Sequence, residues 1–285
     1  MRATEGTARR LDEGVGLEEI EIRLLLDGIR LCYGYDFRDY AIGPLRRSIL
    51  AAMEAERMPS ISAFQDRVLH DAAFMRRFLA AVGVSVTGMF RDAALMNCVR
   101  QEVVPMLRTY PSVRIWVVGC STGEEVYSLA IVLEEEGLHR RARIYATDLN
   151  EDTLAVARTG AYPLERMSTY EKEYARSGGR GSLSDHYGVS GRIARFNRGL
   201  QRNVTWLKHN LVSDASFNEF HLILCANVLI YFRPTLQERA HKLFYESLVR
   251  GGFLALGQRE SLIFCPESSH YAQVRDGVNL FRKVA

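Results

Sequence analysis

No uninterrupted apolar run in these 285 residues approaches the ~18 that a membrane-spanning helix needs. The opening residues, MRATEGTARRLDEG, lack the apolar stretch of a secretory signal. The sequence therefore predicts a cytoplasmic protein rather than a membrane or secreted one. Its five cysteines (Cys32, Cys98, Cys120, Cys225 and Cys265) are scattered, odd in number and without a CxxC pair. That pattern argues against a disulfide framework or a structural zinc site and predicts reduced thiols. The seven histidines include no HExxH or HxxxH spacing, so no catalytic metal is expected. A net charge of only +3 excludes a protein that lives by coating nucleic acid. Seven prolines leave no collagenous or long disordered tract.

What is present is ordinary globular material, 47% hydrophobic and 25% charged, enough for one large domain or two modest ones. Residues 1–16 are polar and aperiodic and read as a flexible N-terminus. From Leu17, helical spacing puts Leu17, Ile20, Leu24 and Leu31 on one face. A second helix is expected from near Phe37, bending at Gly43-Pro44. A third follows Pro59-Ser60 with Ile61, Phe64, Val68 and Leu69 in register, and a fourth covers Phe74 to Ala81, closed by Gly83. Residues 17–82 thus predict a small helical domain.

After Gly83 the pattern changes. Val113–Val118, Arg143–Thr147, Phe220–Cys225 and Phe253–Leu256 are short apolar runs typical of buried strands. Helical segments from Glu124, Glu151 and Pro234 alternate with them, the signature of a doubly wound, mostly parallel α/β sheet. Arg275-Asp276-Gly277 between two alternating runs predicts an antiparallel C-terminal hairpin. Residues 166–208 break the alternation. This stretch is rich in Gly and Ser and holds nine basic against three acidic residues, a net of +6. It reads either as a solvated insertion or as a docking surface.

The turn Gly119-Cys-Ser-Thr-Gly123 joins the first strand to its helix, where glycine admits a ligand close to the backbone. It has no GxGxxG and no P-loop lysine, so phosphate binding is poorly supported. It does match G-x-S-x-G in a strand–turn–helix context, which leaves a serine hydrolase open as an alternative. Asp148, ending the next strand, lies about 25–30 residues beyond the turn, where such sheets bind ribose hydroxyls. Without phosphate features, that pairing favours S-adenosylmethionine over NAD. A module that senses this cofactor or S-adenosylhomocysteine without catalysis is a further alternative.

Five blocks together carry a resemblance: Val118 to Ala130 (VGCSTGEEVYSLA), Ala146 to Asp148 (ATD), His209 to Leu211 (HNL), Asn227 to Phe232 (NVLIYF) and Ser85 to Asp92 (SVTGMFRD). In order and spacing the chain resembles the CheR-type chemoreceptor glutamate methyltransferases. The resemblance implies an S-adenosylmethionine-dependent methyltransferase domain over 83–285, with 166–208 as its inserted β subdomain. It implies cofactor contacts at Ser85, Thr87, Arg91, Gly119, Glu125, Asp148, Asn210, Leu211, Ala226 and Asn227. Glu125 is then suited to the methionine ammonium and Asp148 to the ribose. Arg91 and Tyr231 are the implied catalytic residues, and the cytoplasmic domain of a chemoreceptor-like protein the implied partner. Ser85 stands where the family usually has Asn, and Ala226 where an Arg commonly precedes Asn. The helix after Tyr40 carries Arg46 and Arg47 and then nothing basic until Arg57, so receptor docking is expected to use Arg46 and Arg47 together with Arg192 and Arg195 of the insertion.

Overall fold

The computed structural model describes residues 16–82 and 87–285. The expected flexible N-terminus, apart from Gly16, lies outside the described residues, as do Gly83 and Ser85. Four helices come first: α1 (Leu17–Tyr33), α2 (Ile42–Ala55), α3 (Ile61–His70) and α4 (Ala72–Val82). They close around one core in which Phe64 meets Phe74 and Phe78 edge-on, at ring distances of 5.1 and 5.2 Å. The Ser60 side chain accepts the Ala63 N–H at the start of α3, a cap worth about 1 kcal/mol.

Two details differ from the expectation. The face of α1 turned inward is Ile22, Leu25, Leu26 and Ile29, whereas Leu17, Leu24 and Leu31 are 73%, 55% and 74% exposed. This helix carries apolar residues on two sides, and periodicity alone does not say which side its neighbours cover. The second helix begins at Ile42, not Phe37, and Pro44 does not bend it. Pro44 lies in the first turn, where an N–H has no partner within the helix anyway.

A helix then runs from α5 (Ala93–Cys98) through a π-helical stretch (Val99–Val103) into α6 (Val104–Leu107). The alternating part follows: β1 (Val113–Val118), α7 (Glu124–Glu135), β2 (Ala142–Asp148), α8 (Glu151–Thr159), β3 (Ala161–Pro163), α9 (Met167–Arg176), β4 (Tyr187–Ser190), β5 (Ile193–Phe196), β6 (Val204–Lys208), β7 (Phe220–Cys225), α10 (Pro234–Ser247), β8 (Leu248–Leu256), β9 (Tyr271–Gln273) and β10 (Leu280–Lys283). Seven strands form one sheet in the order β6-β2-β1-β7-β8-β10-β9. The first five are mutually parallel, and β10 runs antiparallel to both β8 and β9. The doubly wound sheet with an antiparallel C-terminal end is therefore as expected. Its strand order reverses between β1 and β7, and ligands of such sheets bind beyond the strand ends at that point.

The small antiparallel sheet, β3-β5-β4, is shifted from its expected limits. It recruits Ala161–Pro163 from before residue 166. Val204–Lys208, expected within the insertion, is instead the edge strand of the main sheet, parallel to β2. Two of the subdomain's basic side chains, both exposed, pair with acids of α7 or the residue after it. Arg166 lies 3.6 Å from buried Glu124, and Arg180 lies 2.8 Å from Glu136. Beneath the subdomain, Arg100 is buried with Glu135 at 2.5 Å and Glu136 at 3.7 Å. The Tyr174 hydroxyl donates to Glu135, and His186 lies 3.5 Å from it.

Candidate active site

The cleft at the switch point has two unlike walls. One consists of strand ends and their turns: Val118, Gly119 and Ser121 after β1, Thr147 and Asp148 ending β2, His209 to Leu211 after β6, and Asn227, Val228 and Tyr231 after β7. The other is apolar and comes from the helical domain: Phe37, Tyr40, Leu79 and Val82. The two are tied together at the backbone. The Ala41 N–H donates to the Tyr231 carbonyl at 2.7 Å, the Arg233 N–H donates to the Asp39 carbonyl at 2.8 Å, and the Tyr40 ring packs edge-on against Phe232 at 5.0 Å.

The turns on the polar wall are held in unusual conformations. Gly119 has φ +62, and a Cβ there would lie 2.5 Å from a methyl of Val228. Ser121 and Asn227 also have positive φ (48 and 62), as does Phe90 (52) beside Arg91. Left-handed backbone at non-glycine residues is costly and gathers where function requires it. Asp148 is central. One oxygen accepts the Ser121 N–H at 2.8 Å, and the other accepts the Asn150 N–H at 2.9 Å and the Thr153 hydroxyl at 3.2 Å. Burial raises its pKa despite these bonds.

Among the residues expected at the site, Gly119, Asp148, Asn210, Leu211, Asn227 and Tyr231 thus line one cleft. Thr87, Arg91, Glu125 and Ala226 are not in its walls. Glu125 is buried at the start of α7, and burial together with the charge of nearby Glu260 pushes its pKa up to about 8, with Arg91 opposing the shift. The expected docking arginines are on the surface. Arg46 is held by Glu18, Arg47 is exposed, Arg192 lies 4.0 Å from Glu165, and Arg195 donates to the Thr159 carbonyl at 2.9 Å. Arg195 also joins Arg158, Arg198 and Arg202 around a second concavity.

Family comparison decides between the readings. The model described as "CheR methyltransferase, SAM binding domain" matches residues 85–277, and "CheR methyltransferase, all-alpha domain" matches residues 20–82. The chain belongs to the CheR methyltransferase family. A Pseudomonas putida protein named "Putative methyltransferase Cher3" is 45% identical over 265 residues, covering 93% of this chain and 97% of that protein. A "Chemotaxis protein methyltransferase" of Listeria monocytogenes is 29% identical over 235 residues, covering 81% and 86%.

The cofactor of this CheR methyltransferase is S-adenosylmethionine, and the cleft fits it. The Asn150 side-chain amide nitrogen is buried in the cleft wall without a hydrogen-bond partner, and so is Nδ1 of His209. A polar ligand would satisfy both, accepting from the Asn150 amide and donating to His209 Nδ1, since Nε2 of that ring gives its proton to the Ala215 carbonyl at 3.3 Å. The apolar wall suits a flat base, and Asp148 suits vicinal hydroxyls. The alternative hydrolase finds no support. Among the described residues no histidine hydrogen-bonds to Ser121. His241 is buried on α10 with its pKa lowered by burial to about 4, and His270 pairs with Tyr245 at 3.1 Å. Among the described residues no helix is long and apolar enough to cross a membrane.

Sequence reasoning missed several participants. The Phe37 and Tyr40 wall lies where the sequence predicts the start of a helix, and Asn150, which also caps α8 by accepting the Asp152 N–H at 2.9 Å, is not among the expected site residues. Glu260 had no local signal at all. It is buried beside the cleft and accepts N–H groups from Asn227, Val228 and Leu229.

Proposed function

We propose that this protein transfers methyl groups from S-adenosylmethionine to glutamate side chains of a chemoreceptor-like signalling protein in the cytoplasm. The carrying observation is the cleft itself, where Asp148, Asn210, Asn227 and Tyr231 meet at the switch point of a sheet whose family is methyltransferase. Bound S-adenosylmethionine supplies a methyl group activated by a positively charged sulfur. Asp148 accepts the ribose hydroxyls, and Glu125 the methionine ammonium. Asn210 and Asn227 hold polar edges, Leu211 adds apolar wall, and Gly119 lets the turn approach closely.

A substrate glutamate with a pKa near ~4.3 is already ionised at neutral pH, so the site needs no strong general base. Its residues act by alignment, an effect worth several kcal/mol when reacting atoms are held in line. Tyr231 orients the reacting groups as a hydroxyl donor. Arg91 fixes the incoming carboxylate or the cofactor through its two-pronged guanidinium. Arg46, Arg47, Arg192 and Arg195 form the basic rim toward an acidic receptor helix. The test is transfer of tritiated methyl to a receptor cytoplasmic domain, read as a base-labile ester. Wild type should label it, while Tyr231→Phe should remain folded by circular dichroism and lose most turnover. Full turnover in Tyr231→Phe would remove the hydroxyl from the mechanism, and absence of any labelled ester with wild type would remove the glutamate substrate.

A further inference from the structure

We propose that Glu260 is a positioning residue for methyl transfer, its carboxylate setting the backbone of residues 227–229 and, through them, Tyr231. This rests on the reading of Tyr231 given above. Glu260 follows β8, more than thirty positions along the chain from that loop, yet its side chain takes four main-chain donors. One oxygen accepts the N–H groups of Val228 (2.8 Å) and Leu229 (2.7 Å), and the other those of Asn227 (3.0 Å) and Gly257 (2.8 Å). Three successive amides facing one anion form a concave nest. The left-handed backbone of Asn227, φ 62, lies at its start.

The surroundings fit the same purpose. A Cβ on Gly257 would lie 2.8 Å from the Glu260 carboxylate and 3.0 Å from the Asn227 nitrogen, so glycine lets the ends of β7 and β8 share one carboxylate. Behind it, the Asn279 side-chain amide donates to the carbonyls of Gly257 (2.9 Å) and Glu260 itself (2.6 Å), fixing the segment to the last strand. On the reacting side, a single 3-10 turn, Leu229–Tyr231, leads from the nest to the tyrosine. The Tyr231 carbonyl is then held by Ala41 of the helical domain. The tyrosine is thereby fixed between two anchors, and Glu260 is the one made by a single side chain. Val228, held by the same carboxylate, is also the residue packed against Gly119.

Glu260→Gln tests this. It keeps length and volume, but an amide has one accepting oxygen, and its NH2 would face two backbone donors. Amide hydrogen exchange over residues 227–232 should accelerate, while circular dichroism remains native. The kcat for methyl transfer should fall about ten- to a hundred-fold, the scale of a small misplacement of a reacting group. The Kd for S-adenosylmethionine should change much less than kcat. In a Tyr231→Phe background the same substitution should cost little more, because two residues acting as a unit are not additive. Unchanged exchange, full kcat, or losses that multiply with those of Tyr231→Phe would overturn the proposal. Should Glu260→Gln fail to fold, Asn279→Ala loosens the same segment from behind and is read in the same way. A wild-type protein that transfers no methyl overturns the functional reading instead, and exchange still decides whether Glu260 holds the loop.

Discussion

The two ends of α7 carry the same kind of residue in opposite states. At its N-terminus, Glu124 and Glu125 are buried, and the helix dipole favours negative charge there. Burial wins nevertheless, and Glu125 is pushed up to about 8, with Glu260 adding to the shift. At the C-terminus the dipole disfavours carboxylates. Burial pushes Glu135 up as well, but bonds from His186 and Tyr174 and the charge of Arg100 outweigh it and hold it down at about 2. The cations present, rather than burial or the dipole, decide the outcome. Glu135 already has its partners and braces the subdomain. Glu125 has Arg91 near it, whose charge does not outweigh burial and Glu260.

Removing the structural cation should have the largest effect. Arg100→Ala removes the one buried cation from Glu135 and Glu136 and leaves them His186 and Tyr174 on one side and Arg108 and Arg180 on the other, so the cost should lie toward the low end of the about 3–5 kcal/mol of a broken buried group. Thermal melting should show a fall of that size, and cofactor affinity of the protein that remains folded should be nearly unchanged. A loss below ~1 kcal/mol, as for surface pairs, would mean that water replaces the guanidinium.

Glu125→Gln should do the opposite, weakening cofactor binding about ten- to a hundred-fold through loss of a charge-assisted contact while leaving the fold intact. The pH dependence has a definite sign. The folded-state pKa of Glu125 is above its ordinary value of 4.5, so between there and about 8 the folded protein holds a proton that the unfolded chain has released. Wild type therefore loses stability as pH rises through that window, and Glu125→Gln is spared this contribution. A bound ammonium prefers the ionised carboxylate. Cofactor binding near pH 7 should accordingly release about one proton, seen by calorimetry in buffers of different ionisation enthalpy. Equal heats in all buffers would place the ammonium elsewhere.

These two clusters also mark what could be seen in the sequence. The glycine turn and the acid at Asp148 are local signals at strand ends, Asn227 and Tyr231 stand out only through the resemblance of their block, and the parallel sheet follows from the apolar runs. The α1 face was misjudged because both of its sides are apolar. Strand β6 went unseen because Val204–Lys208 is only half-buried and follows a basic, glycine-rich stretch, so its run lacks the continuous apolar character of β7. The grip of Glu260 on residues 227–229 arises only when β7 and β8 lie side by side. No spacing within either segment encodes it. Arg100 and Glu135 likewise meet through packing, each on a helix whose own pattern is satisfied without the other.

The smallest expected effects lie on the rim, where the same lesson about partners applies to cations. Arg46 is already bonded to Glu18, so part of its field is cancelled before a receptor arrives. In the insertion, Arg166 and Arg180 pair with Glu124 and Glu136, Arg192 stands 4.0 Å from exposed Glu165, a looser pair than that of Arg46, and Arg195, Arg198 and Arg202 gather with Arg158 around the second concavity. Reversing Arg192 and Arg195 to Glu should therefore raise the KM for receptor more than reversing Arg46 and Arg47. Rim charges act mainly on encounter and are screened within about 8 Å at physiological salt. Both effects should then shrink as salt rises, with kcat and cofactor affinity unchanged. If the Arg46 and Arg47 reversal has the larger effect, the Glu18 pair must open on docking, and Glu18→Gln in the wild-type background should then lower the KM by itself.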